Sequence, residues 1–335
     1  DELCRYHVSG QLKVAPEHVA EHALANMGKP GKSVYLKFMR AFNKKNQEIG
    51  LKQFLVPYFI SSHPGCTLRD AVELSEFLRD IGHQPEHAGK YRFIETDIRN
   101  EADIKCLFEE VQPDVVINCS ALSVPDYCET HHEEAYLTNV TAVSQLAVFC
   151  EEYKSRFIHL STDFVFDGKM FVFDEKINED AGLLYTEEDI PAPVNYYGYT
   201  KWKGEEKVAE TCSSYAIVRV AIVYGRALPE QHGNIVQLVM NRLKAGQEIR
   251  VVSDQWRTPT YVGDVSDGVQ RLIAHPTNGI FHICGVECMS IAEIAYQVAD
   301  YMGLDHSLIH PVTTEEMNET TPRPRFSGMS IDKAR

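Results

Sequence analysis

The chain has 335 residues, enough for one large α/β domain or two smaller ones. Its net charge of -15 at pH 7 excludes a basic groove for nucleic acid, because phosphate backbones need clustered Lys and Arg; a small nucleotide ligand stays compatible with it. No run of about 18 apolar residues occurs, so no membrane partner is expected, and nine cysteines without a C-x-x-C pair point to a cytoplasmic location and to no metal site.

From the front, QLKVAP (11–16) reads as a strand, followed by amphipathic helices over 19–27 and 32–50. GKPGKS (28–33) fails as a phosphate loop because position 26, where the pattern needs glycine, is Asn26. The apolar run QFLVPYFISS (53–62) reads as a buried strand. HPGCT (63–67) breaks it, and LRDAVELSEFLRDIG (68–82) is a helix closed by glycine. The polar stretch 83–90 marks a boundary between segments 1–90 and 91–335.

Beyond the boundary the pattern is a regular strand–helix alternation. A strand over 91–98 ends near Asp97, a helix covers 102–111, and PDVVINCSA (113–121) is a buried strand with a small-residue loop. A long helix over 133–153 leads to strand and loop 156–166, in which His159 reads as a core histidine. A helix carrying Tyr197 and Lys201 follows, then a strand over 215–225. This alternation predicts a doubly wound parallel α/β sheet, covered on both faces. The insert at 169–184 reads as a surface hairpin, with a lid as the alternative.

Tyr197 and Lys201 stand four residues apart, one helical turn, on the same helix face. Reduction of a carbonyl by hydride needs a proton for the developing alkoxide. A phenol has an ordinary pKa of about 10, and a neighbouring ammonium is expected to lower it. A hydroxyl such as Thr162 can orient the carbonyl oxygen. Tyr-x-x-x-Lys alone is a weak signal among 16 tyrosines, and a surface pair is the alternative; the surrounding motifs decide.

STDFVFDG (161–168), YTEED (185–189), the run P-x-P-x-N-Y-Y-G-Y-T-K (191–201) and Glu205 resemble the extended short-chain dehydrogenase/reductases, and among them the dTDP-4-dehydrorhamnose reductase (RmlD-like) family. NCSALSVPDYCE (118–129), VVSDQWRTPTYVGDV (251–265) and RPRFSGMSIDKAR (323–335) extend the likeness over about 91–335. The resemblance implies a Rossmann-like fold with a smaller C-terminal substrate lobe, and NAD(P)H-dependent reduction of a 4-keto-6-deoxy sugar nucleotide. It implies Thr162, Tyr197 and Lys201 as catalytic residues. Asp97, Ile98, Ser120, Ala121, Leu122, Asn139, Tyr197 and Lys201 would then face the NADP or NAD cofactor. Ser123, Val124, Asp163, Phe164, Trp256, Arg257, Thr258 and Arg323 would face the sugar nucleotide, with Arg257, Thr258 and Arg323 at its phosphates. A homodimer is among the implied assemblies.

One departure stands out. The family opens with strand–GxxGxxG–helix, whose glycines admit a pyrophosphate to a helix N-terminus, and residues 1–90 hold no such triplet. They resemble instead a fragment of YgiQ-like radical SAM proteins, without the cysteine motif of that chemistry. The expectation is that 53–82 stands in for the missing first unit while binding dinucleotide less well. A non-catalytic protein resembling the β regulatory subunit of methionine adenosyltransferase is the alternative function.

Overall fold

The computed structural model describes residues 30–50, 94, 96–169, 184–225 and 234–335, with Ala20, Leu24 and the backbone of 11–17 and 54–59. The chain divides into two compact units, 1–95 with 227–232, and 96–226 with 233–335. The expected helix over 68–82, most of that over 19–27 and most of the insert at 169–184 lie outside the described residues.

In the first unit, β1 (Gln11–Glu17) and β2 (Phe54–Phe59) pair in parallel as a two-stranded sheet, with α1 (Lys32–Ile49) between them in sequence. Gly50 closes α1 at φ +68°, a left-handed conformation that glycine adopts without steric cost. Among the described residues β2 is hydrogen-bonded to β1. The remainder of 53–82 lies outside the described residues.

The second unit is built on four parallel strands, β3 (Val115–Asn118), β4 (Arg156–Thr162), β5 (Tyr215–Val220) and β6 (Gly279–His282). Their order in the sheet is β6-β5-β4-β3. The expected strand over 91–98 is not formed at its described positions: Ile94, Thr96 and Asp97 are irregular and Ile98 begins a turn. Among the described residues β3 is thus a sheet edge, and its Ile117 is 44% exposed.

Side chains alternate across these strands, as the pleat requires. Phe157 and Ile217 face one side. There they pack with Ile104 and Phe108 of α2 (Glu101–Val111), Val143 and Leu146 of a later helix, and Val208. Ile158, Ala216 and Val218 face the other side, against Val265, Val269 and Leu272 of the helix 262–274. Strands buried on both faces are continuously apolar, which is why their sequence shows no polar alternation. Each such side chain contributes about 1.5–3 kcal/mol on burial.

Helix starts follow the local chemistry. The Asn100 side chain caps α2 by accepting from the Ala102 and Asp103 amides. Short helices α3 (Pro125–Thr130) and α4 (His132–Tyr136) lead through a π turn, Leu137–Thr141, into α5 (Ala142–Tyr153). The long helix expected over 133–153 is therefore present but carries a π turn centred on Asn139. Helix α6 (Tyr196–Thr211) is capped by Asn195, whose side chain accepts from the Gly198 amide at 2.8 Å.

A smaller lobe follows, in which α7 (Ile235–Lys244) and helix Ile291–Met302 pack Val239, Leu243, Ala295 and Ala299 against the parallel strand pair Ile249–Val252 and Ile309–Val312. Among the described residues no helix is long and apolar enough to cross a membrane.

Candidate active site

The carboxyl ends of β3 and β4 meet the first turns of α6, and the residues singled out from sequence converge there. Thr162 is the last residue of β4. Its hydroxyl accepts from the Phe164 amide at 3.2 Å and donates to Asp163 Oδ1 at 3.2 Å. Tyr197 lies in the first turn of α6, its ring edge-on to Phe164 with centroids 5.6 Å apart. Lys201 follows one turn later and is buried; its Nζ donates to the Leu160 carbonyl at 2.7 Å and lies 3.3 Å from His159 Nε2.

Two close approaches set this geometry. A Cβ on Gly198 would run into the Phe164 carbonyl, and one on Gly204 would meet the Asn139 carbonyl. The glycines let α6 lie directly on the loop after β4 and on the π turn. Deeper along α6, Glu205 and Arg219 of β5 form a bidentate ion pair, at 2.9 and 2.6 Å, with both side chains buried.

The electrostatics correct one expectation. Burial pushes the Tyr197 phenol well above its ordinary value, with Asp163 adding to the rise and the Thr162 hydrogen bond opposing it. Lys201 is not among the causes; its head group is turned to Leu160 and His159. Burial in turn lowers Lys201 to about 8, against the pull of Glu205 and Cys119. Tyr197 is thus a neutral phenol in this setting.

The residues assigned to the cofactor side divide into two groups. Ser120 and Ala121 lie at the end of β3, with Ser120 exposed and its amide donating to Asn118 Oδ1 at 3.0 Å. Asn139 is fully buried and acts as a staple: its Oδ1 accepts from the Leu122 amide at 2.8 Å, and its Nδ2 donates to the Leu122 carbonyl and the Thr200 hydroxyl, both at 3.0 Å. It shapes the loop and leaves no free group for a cofactor. The exposed Asp97 carboxylate is gripped by Arg99, at 2.7 to 3.0 Å, and held near 2, with Ile98 half-buried beside it.

On the substrate side the structure departs further from expectation. Arg257 is 2% exposed, and every guanidinium nitrogen is engaged. Nε pairs with Asp163 at 3.2 Å, Nη1 donates to the Trp256 and Arg325 carbonyls, and Nη2 donates to the Pro324 carbonyl at 2.6 Å. Such a cation cannot turn to a phosphate without stranding a buried carboxylate. Thr258 is buried, and its hydroxyl accepts from the Met329 amide at 3.3 Å. Asp163 is equally buried, holding Arg257 and the Ser327 hydroxyl. These three residues tie 324–329 to the loop after β4 and to the segment 256–258 through buried contacts. Arg323 remains half-buried at the surface, paired with Asp126 at 3.3 Å and Glu319 at 2.5 Å; Trp256 is half-buried, and Ser123 and Val124 are exposed.

Sequence reading missed the role of Asn118 and His159. They are register partners on adjacent parallel strands, and the ring of His159 stands between Asn118 and Lys201. Their spacing across β3 and β4 was the available signal. Among the described residues no cluster of three metal-ligating side chains occurs.

The donor set of Thr162, Tyr197 and Lys201 fits the nicotinamide-ribose end of a dinucleotide: two hydroxyls for a carbonyl and an amine whose partners use only part of its donor capacity. No glycine-rich loop for the pyrophosphate occurs among the described residues.

Comparison with known proteins agrees with this geometry. The model of the RmlD substrate binding domain matches residues 72–335, beginning before the boundary placed near 91. The chain is 34% identical over 261 residues to the spore coat polysaccharide biosynthesis protein SpsK of Bacillus subtilis, covering 77% of this chain and 84% of that one. Among solved structures, the dTDP-4-dehydrorhamnose reductase of Bacillus anthracis, in complex with NADP, superposes with a TM-score of 0.66 at 29% identity, covering 77% of this chain and 86% of that one. The N-terminus tells a different story. There 85 residues, 25% of this chain, are 58% identical to a UPF0313 protein of Clostridium perfringens, of which they span 13%. The front end is thus similar to a short part of that protein, in keeping with the resemblance of 1–86. With the family model covering most of its length and the Thr162, Tyr197 and Lys201 cluster in place, the chain belongs to the RmlD substrate binding domain family.

Proposed function

We propose that this chain reduces the keto group of a 4-keto-6-deoxy sugar nucleotide, with NADPH or NADH as the hydride source. The observation that carries the reading is the meeting of Thr162, Tyr197 and Lys201 at the carboxyl ends of β3 and β4, the place where this fold class binds ligands. The cofactor supplies the hydride; Tyr197 and Lys201 would hold its nicotinamide ribose. Thr162 ends β4 and Tyr197 lies in the first turn of α6 beside it, so both can address one carbonyl oxygen. The phenol, neutral in its buried setting, gives that oxygen its proton. Ser123, Val124, Phe164, Trp256 and Arg323 are the remaining candidates to hold the sugar nucleotide.

The same reading takes 1–90 as a segment of separate ancestry joined to a reductase domain over 91–335, in a cytoplasmic protein that forms a homodimer. The UPF0313 match supports the separate ancestry. A non-catalytic, sugar-nucleotide-binding protein is the second reading, favoured by the missing GxxGxxG in residues 1–90.

The test is titration of the purified chain with NADPH and with NADH, read by nicotinamide fluorescence, then turnover with a dTDP-4-keto-6-deoxy sugar. Reduction is expected, falling about 100- to 10,000-fold in Tyr197→Phe. Sugar-nucleotide binding with no response to either cofactor overturns the reductase in favour of the second reading.

A further inference from the structure

Protons in the chain from β3 to α6 can be placed from the hydrogen bonds alone. The Ser120 amide can only donate, and it lies 3.0 Å from one end of the Asn118 amide, which must therefore be Oδ1. The other end, Nδ2, is a donor and faces His159 Nδ1 at 3.1 Å. Nδ1 must accept, so a neutral His159 carries its proton on Nε2. His159 is fully buried, and burial together with Lys201 holds its pKa well below the ordinary value, so the ring is neutral. Nε2 lies 3.3 Å from Lys201 Nζ, which also donates to the Leu160 carbonyl at 2.7 Å.

An ammonium has donors only and would meet Nε2–H donor to donor. An amine has a lone pair that accepts from Nε2–H while one N–H serves Leu160. The two forms of Lys201 are therefore unequal in this setting. We propose that Asn118 and His159 form a one-way hydrogen-bond chain that positions Lys201 and favours its amine form. The groups facing Lys201 are Glu205 on α6 and Cys119 at the end of β3, which favour the ammonium, and His159 on β4. Burial and the chain oppose them.

The consequence for catalysis rests on the reductase reading. Once Tyr197 has given its proton to the substrate oxygen, solvent returns one to the phenolate, while the chain from Asn118 through His159 holds Nζ beside the Leu160 carbonyl. Asn118 and His159 are positioning residues in this scheme, acting through Lys201.

The test uses the full chain with ¹⁵N-labelled histidine. Two-bond ¹⁵N–¹H spectra distinguish the tautomers, and the His159 signals are assigned by their loss in His159→Gln. The Nε2–H form is expected; the Nδ1–H form overturns the proposal. In a sample with ¹³Cε-labelled lysine, Lys201 is assigned by Lys201→Met and is expected to titrate near 8. Asn118→Leu frees the ring to reverse its tautomer, so that Nε2 accepts from an ammonium, and the Lys201 midpoint should rise by about one pH unit or more. An unchanged midpoint in folded Asn118→Leu overturns the chain. If that variant does not fold, the tautomer in the unaltered protein decides. Nε2–H with no sugar-nucleotide turnover refutes the reductase and leaves the chain standing, and Nδ1–H does the reverse.

Discussion

Replacing Lys201 with Met should make the protein relatively more stable as the pH falls. Lys201 is 2% exposed and is held at about 8 against an ordinary 10.5. Its folded value is the lower one, so between those limits the unfolded chain binds the extra proton. The folded state is then penalised at low pH and relieved as pH rises from 8 to 10.5. The difference of 2.5 pH units corresponds to about 3 kcal/mol at pH 6.5 and to about half that at pH 9.5. Met fills similar space without a charge. It also leaves the Leu160 carbonyl without its 2.7 Å donor, at a cost of about 1–3 kcal/mol that does not vary with pH. The gap between Lys201→Met and the unaltered protein should therefore move by about 2 kcal/mol in favour of the variant on going from pH 9.5 to 6.5. Urea unfolding followed by tryptophan fluorescence measures it, because the two tryptophans, Trp202 and Trp256, both lie in the second unit. A gap that is the same at both pH values would refute the reasoning.

Glu205→Ala strands Arg219 in the core and should cost about 3–5 kcal/mol. The double variant Glu205→Leu with Arg219→Met should recover most of it, as read from the same unfolding curves; equal losses in single and double variants would mean that packing, not the stranded charge, dominates. Gly198→Ala drives a methyl into the Phe164 carbonyl and must shift the first turn of α6. Turnover should fall about 100-fold with the circular dichroism unchanged, and activity within about twofold of the parent would show that Tyr197 has more freedom than the packing implies.

Local rules reach far in this chain. The helix starts at Asn100 and Asn195 follow from capping chemistry, and the buried strands from uninterrupted apolar runs. The Tyr197 and Lys201 pair follows from one helical turn, because both residues sit on one continuous element. In the stretch 91–98 the described positions, 94 and 96–98, are not strand, although the stretch reads as one in sequence.

Arg257 shows where sequence reading ends. Beside Trp256 and Thr258 it looks like a phosphate ligand, but a guanidinium bonds whatever acceptors the fold brings to it. Here those are Asp163 and three carbonyls, two of them from residues more than sixty positions away. Asn139 is similar, a polar residue on a helix whose amide is spent on Leu122 and Thr200. His159 reads correctly as buried, yet its neighbour is set by the register of β3 on β4 and by how closely Gly204 lets α6 approach. The sequence by itself determined the family, the order of most elements beyond 100 and the placing of Tyr197 and Lys201 on one helix face, since these depend on local pattern. Only the tertiary structure decided which charged side chains are free for a ligand and which proton form Lys201 meets, because burial and hydrogen-bond direction depend on residues far apart in the chain.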